Sequence, residues 1–256
     1  FTAAASFTCY TLGMDNSGNA SGDTVILRPE GRYAIRQADA LPRLDERQFN
    51  PGGYERARPI TGKGGRGGAW FVDTAAGTAV LKHYRRGGWA MLVSTDRYLF
   101  RGASSSRSHR EFLFLLHLHS KGLPVPEPLA AFCLSRFGLY RAALLTRCIA
   151  GARSLVEAVH AQDAPWAKIG AVLARFHALE VRHADLNANN ILIDAEDAVH
   201  FIDWDKGRID HRENGWPDAV LARLIRSLHK EAGDNGRAYL EAGIASMTSE
   251  YRRRMP

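Results

Sequence analysis

The sequence predicts an α+β chain whose first half is built from strands with one helix and whose second half is helical. Three observations carry that prediction. Short apolar runs near 33–35, 69–72, 80–84, 128–132 and 140–145 have strand length and enclose a single helical stretch near 108–121. Apolar residues at helical spacing then take over near 154–160, 166–179, 219–231 and 237–247. Among those later helices, Ile191-Leu192-Ile193 and Val199-His200-Phe201-Ile202 read as short buried strands around a hairpin.

A chain of 256 residues suits one compact unit or two small lobes sharing a cleft. Residues 1–24 are rich in Ala, Ser, Gly and Asn, which is neither a basic-then-apolar signal peptide nor a foldable composition, so a disordered extension is expected there. Residues 25–145 then form the strand-rich N-lobe and 146–256 the helical C-lobe. No run of about 18 apolar residues exists, so no transmembrane helix is expected. Cys9, Cys133 and Cys148 are odd in number and lack metal or disulfide spacing, which fits a reducing compartment and a packing role. No internal repeat is visible.

Chemistry concentrates in His183-Ala184-Asp185-Leu186-Asn187-Ala188-Asn189-Asn190, which fits the phosphotransferase loop H-x-D-L-x-x-x-N. Such a loop needs a carboxylate to take or orient the acceptor hydroxyl's proton, and a neutral oxygen ligand for magnesium a few residues on. Asp185 and Asn190 are those two groups. Four intervening residues let a loop fold back, as a helix would not. Asp and Asn are common in turns for other reasons, but a second element follows thirteen residues after Asn190: Asp203, at the end of an apolar strand, stands where a kinase-type site places its metal-binding Asp. Trp204 takes the place of Phe in D-F-G and Asp205 that of Gly, which removes the basis for a D-F-G-type in/out switch.

Upstream, the glycine-rich run Thr61 to Gly68, with Gly65, Arg66 and Gly67 at its centre, precedes an apolar strand and has the position of a phosphate-covering hairpin turn. A flexible surface hairpin would need the same residues. It is not a Walker A motif, because no Gly-Lys-Ser/Thr follows. In Ala79-Val80-Leu81-Lys82-His83-Tyr84, Lys82 has the place of the lysine that holds the α- and β-phosphates of ATP. Only six of the 34 basic residues are lysine, so a lysine inside an apolar strand stands out. Edge-strand protection is the other reason to put one there. Its helix partner is Glu111, although Ser108 and Glu111 also fit an S-x-x-E capping box.

These residues, in this order, resemble the protein-kinase-like superfamily and, within it, the 3-deoxy-D-manno-octulosonic acid (Kdo) kinases. The narrower resemblance rests on Gly65-Arg66-Gly67, Lys82-His83-Tyr84-Arg85-Arg86-Gly87-Gly88, Asp96-Arg97-Tyr98, Gly122-Leu123-Pro124-Val125-Pro126, the loop His183 to Asn190, and Ile202-Asp203-Trp204-Asp205-Lys206. It covers roughly residues 30 to 235. The resemblance implies a bilobal protein-kinase-like fold, with Leu145-Thr146-Arg147-Cys148 as the hinge whose backbone hydrogen-bonds adenine. It also implies ATP and Mg2+ as cofactors and phosphorylation of the 4-hydroxyl of a Kdo sugar on a lipid A precursor, in lipopolysaccharide inner-core assembly of Gram-negative bacteria. Asp185 would be catalytic, Asn190 and Asp203 would hold the metal, and Lys82, Glu111, Gly65, Arg66 and Gly67 would serve the nucleotide.

What is missing separates this chain from kinases of proteins. About fourteen residues lie between Asp203 and the helix expected near Pro217, and no Ala-Pro-Glu follows, so an activation segment has no room. Asn187 stands where Ser/Thr protein kinases carry Lys; an amide there can orient a hydroxyl but cannot neutralise phosphoryl charge. Aminoglycoside- or choline-kinase-like activity shares this economy and is the main alternative, with a non-catalytic pseudokinase behind it. The segment from Tyr84 to Arg101 interleaves arginines with aromatics, and with a net charge of +7 it points to peripheral contact with an anionic membrane surface, the cytoplasmic face of the inner membrane. Nucleic acid is not an expected partner, since the arginines are spread rather than striped and no nucleic-acid-binding motif is present. No obligate protein partner is indicated, and Arg252-Arg253-Arg254 reads as a solvated tail.

Overall fold

A computed structural model describes residues 9–11, 24–27, 31–60, 68–84, 98–99, 102, 105–211, 215–232 and 236–255. The chain divides into two units: Phe1–Ser120 with Glu127–Cys148, and Lys121–Pro126 with Ile149–Pro256. The first is sheet-rich and the second helical, the α+β, protein-kinase-like arrangement that the sequence predicts.

The first unit is one antiparallel sheet of β1 (Cys9–Thr11), β2 (Thr24–Leu27), β3 (Arg32–Gln37), β4 (Ala57–Pro59), β5 (Ala69–Thr74), β6 (Gly77–His83), β7 (Tyr98–Leu99), β8 (Pro128–Arg136) and β9 (Leu139–Arg147). The order is β1-β2-β3-β8-β9-β6-β5-β4, with β7 also pairing β9. Strand β1 therefore puts part of the segment read as a disordered extension into the sheet. The β8–β9 hairpin turns on Phe137 and Gly138, both with positive φ, the two-residue form whose twist suits its flanking strands.

Packing explains why these strands hold. Phe49, delivered by a 3-10 turn at Glu46–Phe49, stacks on Phe132 at 4.6 Å beside Leu41, Leu81, Leu129 and Leu145. Helix α1 (Arg107–Ser120) buries Phe112, Leu115 and Leu118 against β8 and β9. Each such side chain contributes roughly 1.5–3 kcal/mol of burial. Ser108 lies inside α1 and donates its hydroxyl to the Phe132 carbonyl at 2.8 Å, so it is not the helix cap that S-x-x-E allowed.

The expected adenine hinge is also corrected in part. Leu145 to Arg147 belong to β9; the Arg147 amide donates to Glu127 O at 2.8 Å and that of Cys148 to Thr78 O at 3.0 Å. Both N–H groups are spent within the sheet unit, so neither can donate to a base.

The second unit contains β10 (Arg153–Ser154), α2 (Leu155–His160), α3 (Trp166–Ala178), β11 (Val181–Arg182), β12 (Ile191–Ile193), β13 (Val199–Phe201), β14 (Arg208–Ile209), α4 (Trp216–Ala232) and α5 (Arg237–Arg254). Helix α2 starts on a full capping box, Ser154 with Glu157. Helices α3 and α5 approach closely because Gly170 faces the Met247 carbonyl and Gly243 lies under the Trp166 ring. The arginines read as a tail form the last turn of α5, where Arg253 and Arg254 hydrogen-bond Glu250. Strands β10-β12-β13 form one small sheet and β11-β14 another. Among the described residues no helix is long and apolar enough to cross a membrane.

Candidate active site

The site residues fall in two groups, one in each unit. In the sheet unit, β6 carries Lys82 and α1 carries Glu111. Lys82 Nζ lies 3.1 and 3.0 Å from the two Glu111 carboxylate oxygens. Glu111 is buried, at 3 % exposure, while Lys82 keeps 28 %. The buried acid therefore fixes a cation that still reaches solvent, which is the arrangement needed to present an ammonium to phosphate. Tyr84 completes the cluster: its hydroxyl donates to Glu111 Oε2, and its ring lies 5.0 Å from Lys82 Nζ. A buried carboxylate needs hydrogen-bond donors, and Glu111 receives them from two directions.

Tyr84 and Tyr98 were both expected in the membrane-facing segment, and both are committed inside the sheet unit. Tyr98 stacks on Tyr140 at 5.3 Å and bonds Arg107. The remaining arginines and aromatics of that segment lie outside the described residues, as do Gly65, Arg66 and Gly67.

In the helical unit, the loop folds back as the Asp-to-Asn spacing requires. Asn190 Nδ2 donates to the Asp185 carbonyl at 3.0 Å, and Asn187 Nδ2 donates to the same oxygen at 2.9 Å. The Asp185 amide donates to His183 Nδ1 at 3.2 Å, and His183 Nε2–H donates in turn to Ile202 O at 2.9 Å. These two bonds fix one neutral tautomer of His183, which is buried. Asn187 also accepts from the Asn189 amide at 3.0 Å and caps the short 3-10 turn Ala188–Asn190. One N–H and one lone pair of its amide are thus used by the loop, which fixes its orientation and leaves a second N–H.

Pairing of β12 with β13 sets Ile191 opposite Phe201, and the Ile202 amide donates to Asn190 O at 3.0 Å. That bond brings the Asn190 segment against the one that carries Asp203. Asp203 has φ 65, a left-handed conformation that Asp adopts more readily than bulkier residues. Trp204 behind it is buried, donates Nε1–H to Phe201 O at 2.8 Å, and packs on Phe176 and His183. A tryptophan held this way supports no in/out switch.

The donor set fits a magnesium ion. With its Nδ2 spent on Asp185, Asn190 has Oδ1 left as a neutral oxygen ligand, and Asp203 adds a carboxylate. Among the described residues no group of three or more His, Cys, Asp or Glu side chains could enclose a metal. Magnesium is held through one or two carboxylates, substrate phosphates and water rather than by an all-protein cage.

Two residues here carried no sequence signal. Helix α4 sends Arg223 Nη1 to 2.9 Å from Asp185 Oδ1, and Ser227, one turn on, accepts the Ala188 amide at 2.8 Å.

A sequence profile of the lipopolysaccharide kinase (Kdo/WaaP) family matches residues 54–251. The chain belongs to that family. It is 48% identical over 212 residues to a 3-deoxy-D-manno-octulosonic acid kinase of Xanthomonas campestris, covering 80% of this chain and 81% of that protein. The protein of the same name from Xanthomonas axonopodis is 46% identical over 226 residues, 86% and 87% of the two chains. That from Stenotrophomonas maltophilia is 45% identical over 206 residues, 79% and 80%. Membership in the lipopolysaccharide kinase family makes this chain an ATP-using kinase. The matched span of the family includes Lys82, Glu111, Asp185, Asn190 and Asp203.

Proposed function

We propose that this lipopolysaccharide kinase phosphorylates the 4-hydroxyl of a Kdo residue on a lipid A precursor, in inner-core biosynthesis. The observation that carries the reading is the folded loop of Asp185 and Asn190 tied through His183 and Ile202 to Asp203, in a chain 45–48% identical to proteins named for Kdo phosphorylation. Asp185 would orient the acceptor hydroxyl and take its proton. The acceptor oxygen then bonds to the γ-phosphorus as the bond from phosphorus to the β,γ-bridging oxygen breaks, and ADP leaves. Lys82, fixed by Glu111, would hold donor phosphates. Asn190 and Asp203 would hold magnesium, which when bound offsets phosphate charge. Rate enhancement comes from positioning and charge stabilisation.

The acceptor is part of a membrane glycolipid, and we place the enzyme peripherally on the cytoplasmic face of the bacterial inner membrane. Beyond the net charge of +7, Leu99 is 60% and Phe137 87% exposed, with the Arg136 guanidinium 4.9 Å from the Phe137 ring. Exposed apolar groups beside arginine suit an anionic headgroup layer. Co-sedimentation with anionic phospholipid vesicles, weakened by added salt, is the expected behaviour; no sedimentation at low salt would remove this placement.

Labelled ATP offered with a Kdo-bearing lipid A precursor, an aminoglycoside, choline or a generic protein should label the glycolipid alone. In Asp185→Asn, ATP binding should persist while transfer falls on the order of 10³-fold. Unchanged turnover in that variant would sink the assignment of the base.

A further inference from the structure

The main chain of Asp185 is held on several sides by its own loop: its carbonyl accepts from Asn187 and Asn190, and its amide donates to His183. None of those bonds fixes the carboxylate. Among the described residues, the one group that holds the Asp185 side chain is Arg223 of α4, with Nη1 at 2.9 Å from Oδ1. Oδ2 has no partner among the described residues.

Energy decides what such a contact is for. Arg223 is 44% and Asp185 57% exposed, and ion pairs this open contribute little to folding. Its effect is on geometry and charge. A single guanidinium contact to Oδ1 sets the rotamer of Asp185 and leaves Oδ2 for a hydroxyl proton. The contact is also built into the fold, because Ser227 lies four residues on, on the same face of α4, and accepts the Ala188 amide of the same loop at 2.8 Å. Helix α4 thus grips the loop at Asp185 and again at Ala188.

Charge is the second half of the inference. Asn187 stands where Ser/Thr protein kinases carry a lysine, and its amide, which hydrogen-bonds within the loop, carries no charge. The cation missing at that position in sequence is present in space, supplied from α4. We propose that Arg223 is the positioning residue of the phosphoryl transfer: it aims the Asp185 carboxylate and supplies beside it the positive charge that Asn187 cannot. This rests on Asp185 being the base, as in the function proposed above.

The test compares wild type with Arg223→Gln and Arg223→Lys, each with melting temperature as the folding control. Steady-state transfer to the Kdo-bearing lipid A precursor is measured together with ADP release in the absence of acceptor. Arg223→Gln should lower kcat about 100-fold, the scale of a misplaced catalytic group, with KM for ATP and for the glycolipid unchanged. Arg223→Lys, which keeps the charge, should recover part of that loss. An unchanged kcat in Arg223→Gln overturns the proposal and leaves a surface ion pair. A raised acceptor KM with kcat intact also overturns it, since the guanidinium would then bind the acceptor. Failure of the Kdo reading shows separately, as a wild type that does not label the glycolipid; the ratio of acceptor-free ADP release in Arg223→Gln and wild type still decides the role of Arg223.

Discussion

Lys82 and Glu111 lie 29 residues apart, and one bidentate contact ties strand β6 to helix α1. Glu111→Gln keeps the shape and removes the charge, leaving Lys82 with one amide oxygen instead of a carboxylate and Tyr84 with a weaker acceptor. ATP affinity should fall about tenfold, near 1.4 kcal/mol, read by nucleotide titration without any acceptor. Unaltered affinity would make the pair structural only. The sequence marked this site unevenly, for reasons visible residue by residue. The folded loop of Asp185 and Asn190, and its tie to the segment of Asp203, were legible because the chemistry proposed for them would need a fixed spacing along one continuous stretch. Glu111 was ambiguous, since S-x-x-E serves a helix start equally well, and only the position of Ser108 inside α1 settles which role applies. Arg223 was invisible: it meets Asp185 across 38 residues, and in an arginine-rich chain nothing local sets it apart.

Helices α3 and α5 show how an element pair can depend on the absence of a side chain. A Cβ on Gly243 would lie 2.1 Å from the Trp166 ring, and one on Gly170 would lie 2.2 Å from the Met247 carbonyl. Alanine ordinarily stabilises a helix interior by up to about 1 kcal/mol over glycine. Here Gly243→Ala should instead destabilise by about 1–3 kcal/mol, the usual cost of overpacking, seen as a lower midpoint in chemical denaturation. A stabilised variant would mean that the helices can separate freely. Periodicity found the five helices of the described residues, though α4 starts earlier and α5 runs further than their apolar spacing indicated, because each added end is held by a single buried aromatic, Trp216 or Tyr251, and by polar contacts such as Arg253 with Glu250, too few to register as a period. The longer strands were found in the same way. Strands β10, β11 and β14 have two residues each, too few for any alternation to register, and exist because a partner segment is already in place.

Each unit of the molecule buries a neutral histidine, and this couples both to acid. His109 in α1 meets Ser106 Oγ at 3.0 Å, and burial pushes its pKa down to about 4. His177 in α3 meets Tyr251 Oη at 2.8 Å between the edges of Trp216 and Tyr251, and burial pushes it down to about 3. In both rings Nε2 has no hydrogen-bond partner among the described residues, so the imidazolium, with a hydrogen on each nitrogen, would hold a buried N–H with nothing to accept it. The folded pKa lies below the unfolded one, so the stability is fully present above about 6.5 and is lost as pH falls toward the folded values. Between pH 8 and pH 5 the unfolded chain gains protons that the folded chain refuses, at about 2 kcal/mol per histidine. Urea denaturation at the two pH values should therefore show a loss to which both units contribute. His109→Gln and His177→Gln, which keep a polar side chain that does not titrate, should each reduce the loss by about 2 kcal/mol. If neither variant changes it, carboxylate protonation causes the acid lability and the buried imidazoles do not.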